Sequence, residues 1–119
     1  MTSSDWDDLS PVFAALASDH RREIIYALAL QPHSVSQLAS QRNLSLPAIH
    51  KHVRVLENAD MVRRRKIGRT NFLALNRAPL RRLAAWVNQF HPWWGTDGES
   101  LETYVSYLSE EIEMTEESS

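Results

Sequence analysis

A chain of 119 residues with 43% hydrophobic residues is long enough for one domain around one core. It has no cysteine, which excludes disulfides, thiolate metal ligation and thiol redox chemistry, and no apolar run nears the roughly 20 residues of a membrane span. The net charge of −2 conceals a segregation: residues 42–69 hold eight Lys/Arg against Glu57 and Asp60, a local charge of +6 inside an otherwise acidic chain.

The opening MTSSDWDD is acidic and lacks the basic-then-apolar layout of a signal peptide, so the expected compartment is the cytoplasm. Ser10 and Pro11 read as N-cap and first residue of a helix whose apolar stripe is Leu9, Val12, Phe13 and Leu16. Asp19 reads as the cap of a second helix, with Ile24, Ile25 and Leu28 inward and Arg21 and Arg22 outward. Gln31-Pro32-His33 reads as a turn. Ser34 with Gln37 three residues on is a capping-box pattern ahead of Val35, Leu38 and Ala39, a short helix ending near Gln41.

After the link Arg42-Asn43-Leu44 comes the stretch around which the chain is organised. Ser45 is an N-cap, Pro47 falls in the first turn, and Ile49, Val53 and Leu56 recur as one narrow inward stripe. Pro47, His50, Lys51 and Arg54 then lie on other faces, turning donors and positive charge outward. Two short helices with a tight link, the second one basic, spell a helix-turn-helix. Asn58-Ala59-Asp60 ends the second helix. Met61 to Lys66 is an extended run carrying Arg63, Arg64, Arg65 and Lys66; Ile67-Gly68-Arg69-Thr70 is a turn; Asn71 to Leu75 loosely alternates around Phe72 and Leu75. The pair reads as a β-hairpin wing. A basic helix and hairpin together are the electrostatic footprint of a nucleic-acid binder.

Pro79 opens a further helix with Leu80, Leu83, Ala84, Val87 and Phe90 on one face. His91-Pro92-Trp93-Trp94-Gly95-Thr96-Asp97-Gly98 interrupts it, and Leu101, Tyr104, Val105, Leu108 and Ile112 resume a helical stripe. The acidic tail from Glu110 is expected to fray. Trp6, Trp86, Phe90, Trp93, Trp94, Tyr104 and Tyr107 form an aromatic set outside the basic segment, suited to a homodimer interface or to completing a monomer core. The expected architecture is mainly α with a small β-hairpin, a single winged helix-turn-helix domain over 1–119: N-terminal helices at 9–31, helix-turn-helix at 34–60, wing at 61–76, C-terminal dimerisation helices at 79–114.

The segments FAALASDHRREIIYALAL, HSVSQLASQRNLSLPAIHKHVRVLENADMV and RRRKIGRTNFLAL resemble the N-terminal helices, helix-turn-helix and wing of the ArsR/SmtB-type transcriptional regulators. The resemblance runs from about Val12 to Val105 and is most specific over Ser45 to Arg69. It implies a homodimeric winged-helix repressor that releases its operator when an effector, here unidentified, binds. The DNA-contacting positions it implies are Ser45, Leu46, Pro47, His50, Lys51 and His52, with Gly68 and Arg69 at the wing tip; Arg54 and Arg65 join them on charge and position. Dimerisation through the first and last helices is implied as well, which assigns Val12, Phe13, Leu16, Leu83, Val87, Phe90, Trp94, Leu101, Tyr104 and Leu108 to the interface.

The chain also departs from the family's metal sensors. SVSQLA lacks their cysteine motif, and only His91, with Asp97 and Glu99 following, offers ligands near the last helix. The end of the chain is closer to a subgroup whose terminal helix carries a Trp and a downstream Tyr, for which metal sensing is not implied. His50 and His52 lie two apart and point away from each other, so they cannot form a helical metal pair. His50 is expected to reach DNA, and His52 to pack at the core edge or touch a phosphate. No metal, cofactor or catalytic site is expected, and no enzyme. Two alternatives stand beside the DNA-binding repressor: a winged-helix module for protein–protein contact, and a His/carboxylate metal-responsive repressor built on His91.

Overall fold

The computed structural model describes residues 9–90 and 97–118. The elements are α1 (Ser10–Leu16), α2 (Asp19–Leu30), β1 (His33–Ser34), α3 (Val35–Arg42), α4 (Leu46–Asn58), β2 (Val62–Ile67), β3 (Thr70–Leu75), α5 (Ala78–Asn88) and α6 (Asp97–Ser118). They fall into two compact units, one ending at Val87 and a second beginning at Asn88 whose described helix is α6. None of these helices is long and apolar enough to cross a membrane.

The first unit is built on a core of Leu9, Val12, Ala15, Ile24, Leu28, Leu38, Ile49, Val53, Leu56, Met61 and Leu73. The α4 stripe of Ile49, Val53 and Leu56 is wholly buried, as its spacing dictates. The capping box at Ser34 forms in full: its Oγ accepts from Gln37 N at 3.0 Å, and its N–H donates to Gln37 Oε1 at 2.8 Å. Ser45 Oγ accepts from Ala48 N at 3.3 Å and so starts α4.

Both helices of the motif stop in the same way. Asn43 has φ 54° and Asp60 φ 58°, in the left-handed region. Leu44 N–H then returns to Ala39 O, and Met61 N–H to Leu56 O, each at 2.9 Å, closing two Schellman turns. Asn and Asp take the place usually held by glycine, because their short side chains tolerate this conformation. The first closure sets the sharp link that aims α4 away from α3. The second delivers the chain into the wing.

In the wing β2 pairs antiparallel with β3, Val62 opposite Leu75 and Ile67 opposite Thr70. Gly68 sits at the first central position of the two-residue turn with φ +63°, which a type II′ hairpin requires there.

Several local expectations need correction. Ser18, not Asp19, caps α2: its Oγ accepts from Arg21 N at 3.4 Å, and Asp19 is the first helical residue, paired with Arg22. Ser10 is already helical in α1, with Leu9 at the cap position and no side-chain cap bond. Helix α5 begins at Ala78, one residue before Pro79, where Asn76 Oδ1 accepts from Ala78 N at 3.4 Å. His33 belongs not to a turn but to β1, which pairs with β3 (His33 opposite Leu73, Ser34 opposite Phe72) and makes a three-stranded sheet of order β1-β3-β2. Strand β3 is therefore central. Leu73 fills the core, while Phe72 and Leu75, two odd-and-even positions on opposite faces, are only half-buried.

Helix α6 runs to Ser118, past the point where fraying was expected. Its Glu110, Glu111, Glu113 and Glu116 are good helix formers. Trp6, His91, Trp93 and Trp94 lie outside the described residues.

Candidate nucleic-acid interface

Because α4 is held by one stripe, its outer surface is open. Ser45, Leu46, Pro47, Lys51 and Arg54 are exposed there. Ser45 uses its hydroxyl in the cap, and Leu46 leaves 50% of its surface in solvent. The wing adds Arg63, Arg65, Lys66 and Arg69, all exposed.

Both acids of the basic segment have partners of their own. Glu57 takes Arg64 Nη2 at 2.9 Å, joining α4 to β2, and Asp60 accepts from Asn76 Nδ2 at 3.2 Å. Among the described residues, Lys51, Arg54, Arg63, Arg65, Lys66 and Arg69 make no ion pair. Excess positive charge is thus concentrated on the outer face of α4 and on the hairpin behind it.

His50 and His52 separate as their spacing requires. His50 lies half-buried in a cleft of about 250 Å³ between the start of α4 and the wing turn, in company with Ser36, Leu46, Arg69, Thr70 and Asn71. His50 and Arg69, nineteen residues apart, are brought to one place. His52 turns the other way, against α2: its ring lies tilted against that of His20, centroids 5.3 Å apart, and its Nδ1 lies 3.2 Å from Arg21 Nη1. The packing expected of His52 at the edge of the core is thus present.

Arginine has no acceptor, so Nδ1 of His52 must take the hydrogen bond and the ring is neutral with its proton on Nε2. Arg21 is anchored in turn by the last carbonyls of α1, Nε to Ala15 O at 2.7 Å and Nη2 to Ala14 O at 3.1 Å. From α3, Arg42 donates to His20 Nδ1 at 3.2 Å and 3.0 Å. These polar groups tie α2 to both helices of the motif. Sequence reasoning missed them, placing Arg21 simply outward.

Burial first, and then the charges of Arg21, His20 and Lys51, hold the His52 imidazole below its ordinary value of 6.5. The unfolded chain therefore binds the proton more readily than the folded one. Stability from neutral His52 is present above pH 6.5 and is lost as pH falls through the lower, folded value. We expect the wild-type protein to melt progressively earlier below that pH, and His52→Asn, which keeps an acceptor for Arg21, to lack this share of the decline. A difference in Tm between the two that stays flat with pH would show that His52 does not titrate on unfolding.

The residues assigned to a dimer interface divide. Val12 is not available for one: it is 1% exposed and sits in its own chain's core, because the inward stripe of α1 is Val12 and Ala15. Leu16 and Leu83 pack partly against that core as well. Phe13 is 43% exposed and meets Trp86 edge-on, ring centroids 5.1 Å apart. Val87, Phe90, Leu101, Tyr104 and Leu108 are exposed, and Trp94 lies outside the described residues. His91 and the side chains of Asp97 and Glu99 also lie outside them; among the described residues no three His, Asp or Glu side chains gather as a metal site would need.

The sequence pattern of bacterial regulatory proteins of the arsR family matches residues 18–64, from the cap of α2 into the wing. An uncharacterised HTH-type transcriptional regulator of Methanocaldococcus jannaschii, MJ0229, is 38% identical over 55 residues, 46% of this chain and 58% of that protein. The chain thus spans little more than half the length of this relative. The crystal structure of the ArsR family transcriptional regulator RHA00566 superposes with a TM-score of 0.67 at 31% identity, over 75% of this chain and 91% of that one. The homodimeric winged helix-turn-helix DNA-binding domain of Mb0332 from Mycobacterium bovis shares the fold, with a TM-score of 0.60 at 24% identity over 72% and 84% of the two chains. With the capped helix-turn-helix, the basic outer face and the wing described above, these matches assign the chain to the ArsR family of winged-helix transcriptional regulators.

Proposed function

We propose that the chain is a homodimeric repressor that binds double-stranded DNA sequence-specifically in the cytoplasm, has no enzymatic activity, and releases its operator to an effector yet to be identified. In this reading 1–119 is one functional domain, with Leu46, Pro47 and His50 of α4 at the major groove, Ser45 at its entrance, Lys51 and Arg54 of α4 toward the backbone, and Arg65, Gly68 and Arg69 of the wing along the backbone. The observation that carries it is the exposed, unpaired positive charge on α4 and the wing, presented by a helix that the core holds along one stripe only. Duplex DNA has the matching negative charge, and its major groove admits a helix. Two-fold pairing would place two such helices about 34–36 Å apart, one turn of duplex. The Mb0332 domain, a homodimer, supports that arrangement.

A salt series on duplex binding tests the reading. Each lysine or arginine that neutralises a phosphate releases counterions, so affinity must fall steeply with salt. A module used for protein contact would bind duplex weakly and without sequence preference. Within the series, Arg69→Ala is expected to lower operator and random-duplex affinity about equally and to reduce the salt slope by about one unit, since a phosphate contact carries no base information. An unchanged slope would take Arg69 off the backbone.

A further inference from the structure

A groove of about 510 Å³ runs along the α2 side of α4, lined by Arg21, Ala48, Lys51, His52, Arg54 and Val55. Three cations and an imidazole surround an apolar floor of Ala48 and Val55, and the lining has no carboxylate. The imidazole is pre-set. Arg21, fixed by two α1 carbonyls, donates to its Nδ1, and the His20 ring lies against it. The groups bearing on it are thus His20 and Arg21 from α2 and Lys51 on its own helix, with Arg42 of α3 reaching His20. The remaining nitrogen, Nε2, holds the proton and has no partner among the described residues.

We propose that this groove is a phosphate seat, filled in the DNA complex by a backbone phosphodiester, with His52 Nε2–H, Lys51 and Arg54 as its donors. The source of the phosphate rests on the DNA-binding reading above; the chemistry of the seat does not. Several donors of one sign, arranged around a hollow larger than a single ion, suit the oxygens of a phosphodiester with its sugars attached. Charge-assisted bonds gain strength against an apolar floor. An anion there also offsets the charges that disfavour imidazolium, so occupancy must raise the pKa of His52.

The His52 ring resonances of the isotopically labelled full chain should shift saturably with inorganic phosphate, and its titration midpoint should move up. Chloride at matched ionic strength should do neither. His33, whose Nδ1 lies 2.8 Å from Gln31 O, serves as an internal reference. An equal response to chloride overturns the seat. A duplex should move the same resonances; if phosphate moves them and duplex does not, the backbone assignment is overturned. If duplex binds with a steep salt slope while neither probe moves His52, the seat is wrong and the DNA reading stands. If duplex does not bind at all but phosphate moves His52, the DNA reading fails instead.

His52→Asn keeps the acceptor for Arg21 and withdraws the donor from the Nε2 position, so duplex affinity should fall about fivefold to tenfold, the scale of one hydrogen bond. His52→Gln, which restores a donor near Nε2, should recover part of it. Wild-type affinity in His52→Asn would remove His52 from the seat.

Discussion

Leu56→Ala should lower the melting temperature by on the order of 10 °C and carry DNA binding down with it. Leu56 is 0% exposed and forms the third rung of the stripe that seats α4 on the core. Truncating a buried leucine to alanine costs about 2–5 kcal/mol, the lost transfer energy plus the cavity left behind. A domain of this size is stable by only about 5–15 kcal/mol, so the loss is a large share of the total. Lys51→Ala, five residues earlier and exposed, should leave the melting temperature within a few degrees while weakening duplex binding. The pair of variants separates the face that holds the helix from the face that reads. Circular dichroism melts and duplex titrations on both proteins measure it. A Leu56→Ala protein as stable as wild type would mean that α4 is seated by contacts other than its apolar stripe.

The helix-turn-helix was legible because its signals are local. Ser34 with Gln37, Ser45 with Pro47, and the spacing of Ile49, Val53 and Leu56 each act within a few residues, and each appears as expected. What was not legible is long-range. Nothing near His52 announces that Arg21, 31 residues earlier, meets it, or that Arg42 meets His20 across 22 residues. Strand β1 is two residues long and exists only because β3 offers it an edge. Periodicity likewise marked Val12 as apolar without saying what would cover it, and the answer is its own core rather than a partner. Pro47, His50, Lys51 and Arg54 could be placed outward from one helix and its stripe; the phosphate seat needed two helices placed side by side.

Leu108→Glu should convert the protein to a monomer and collapse its operator affinity. Helix α6 spans 22 residues, roughly 33 Å at the usual rise per residue. Leu101, Tyr104, Val105, Leu108 and Ile112 recur along it at helical spacing, and each is at least 38% exposed. Such a row of large apolar side chains is what a second copy would cover, and a two-fold axis would pair each row with itself. A glutamate at Leu108 would then be buried opposite its own symmetry mate, an unpaired charge costing several kcal/mol and so a dimer weakened a hundredfold or more. In the dimer proposed above, operator affinity draws on two half-sites, so loss of the dimer removes one of them while leaving the reading face chemically intact. Ser106→Glu, on the other side of the helix, supplies the same charge without meeting the row and should remain dimeric and competent. Sedimentation and operator titration on the two variants give the answer. A dimeric, DNA-competent Leu108→Glu protein would place the subunit interface away from the α6 stripe and leave that row in need of another partner.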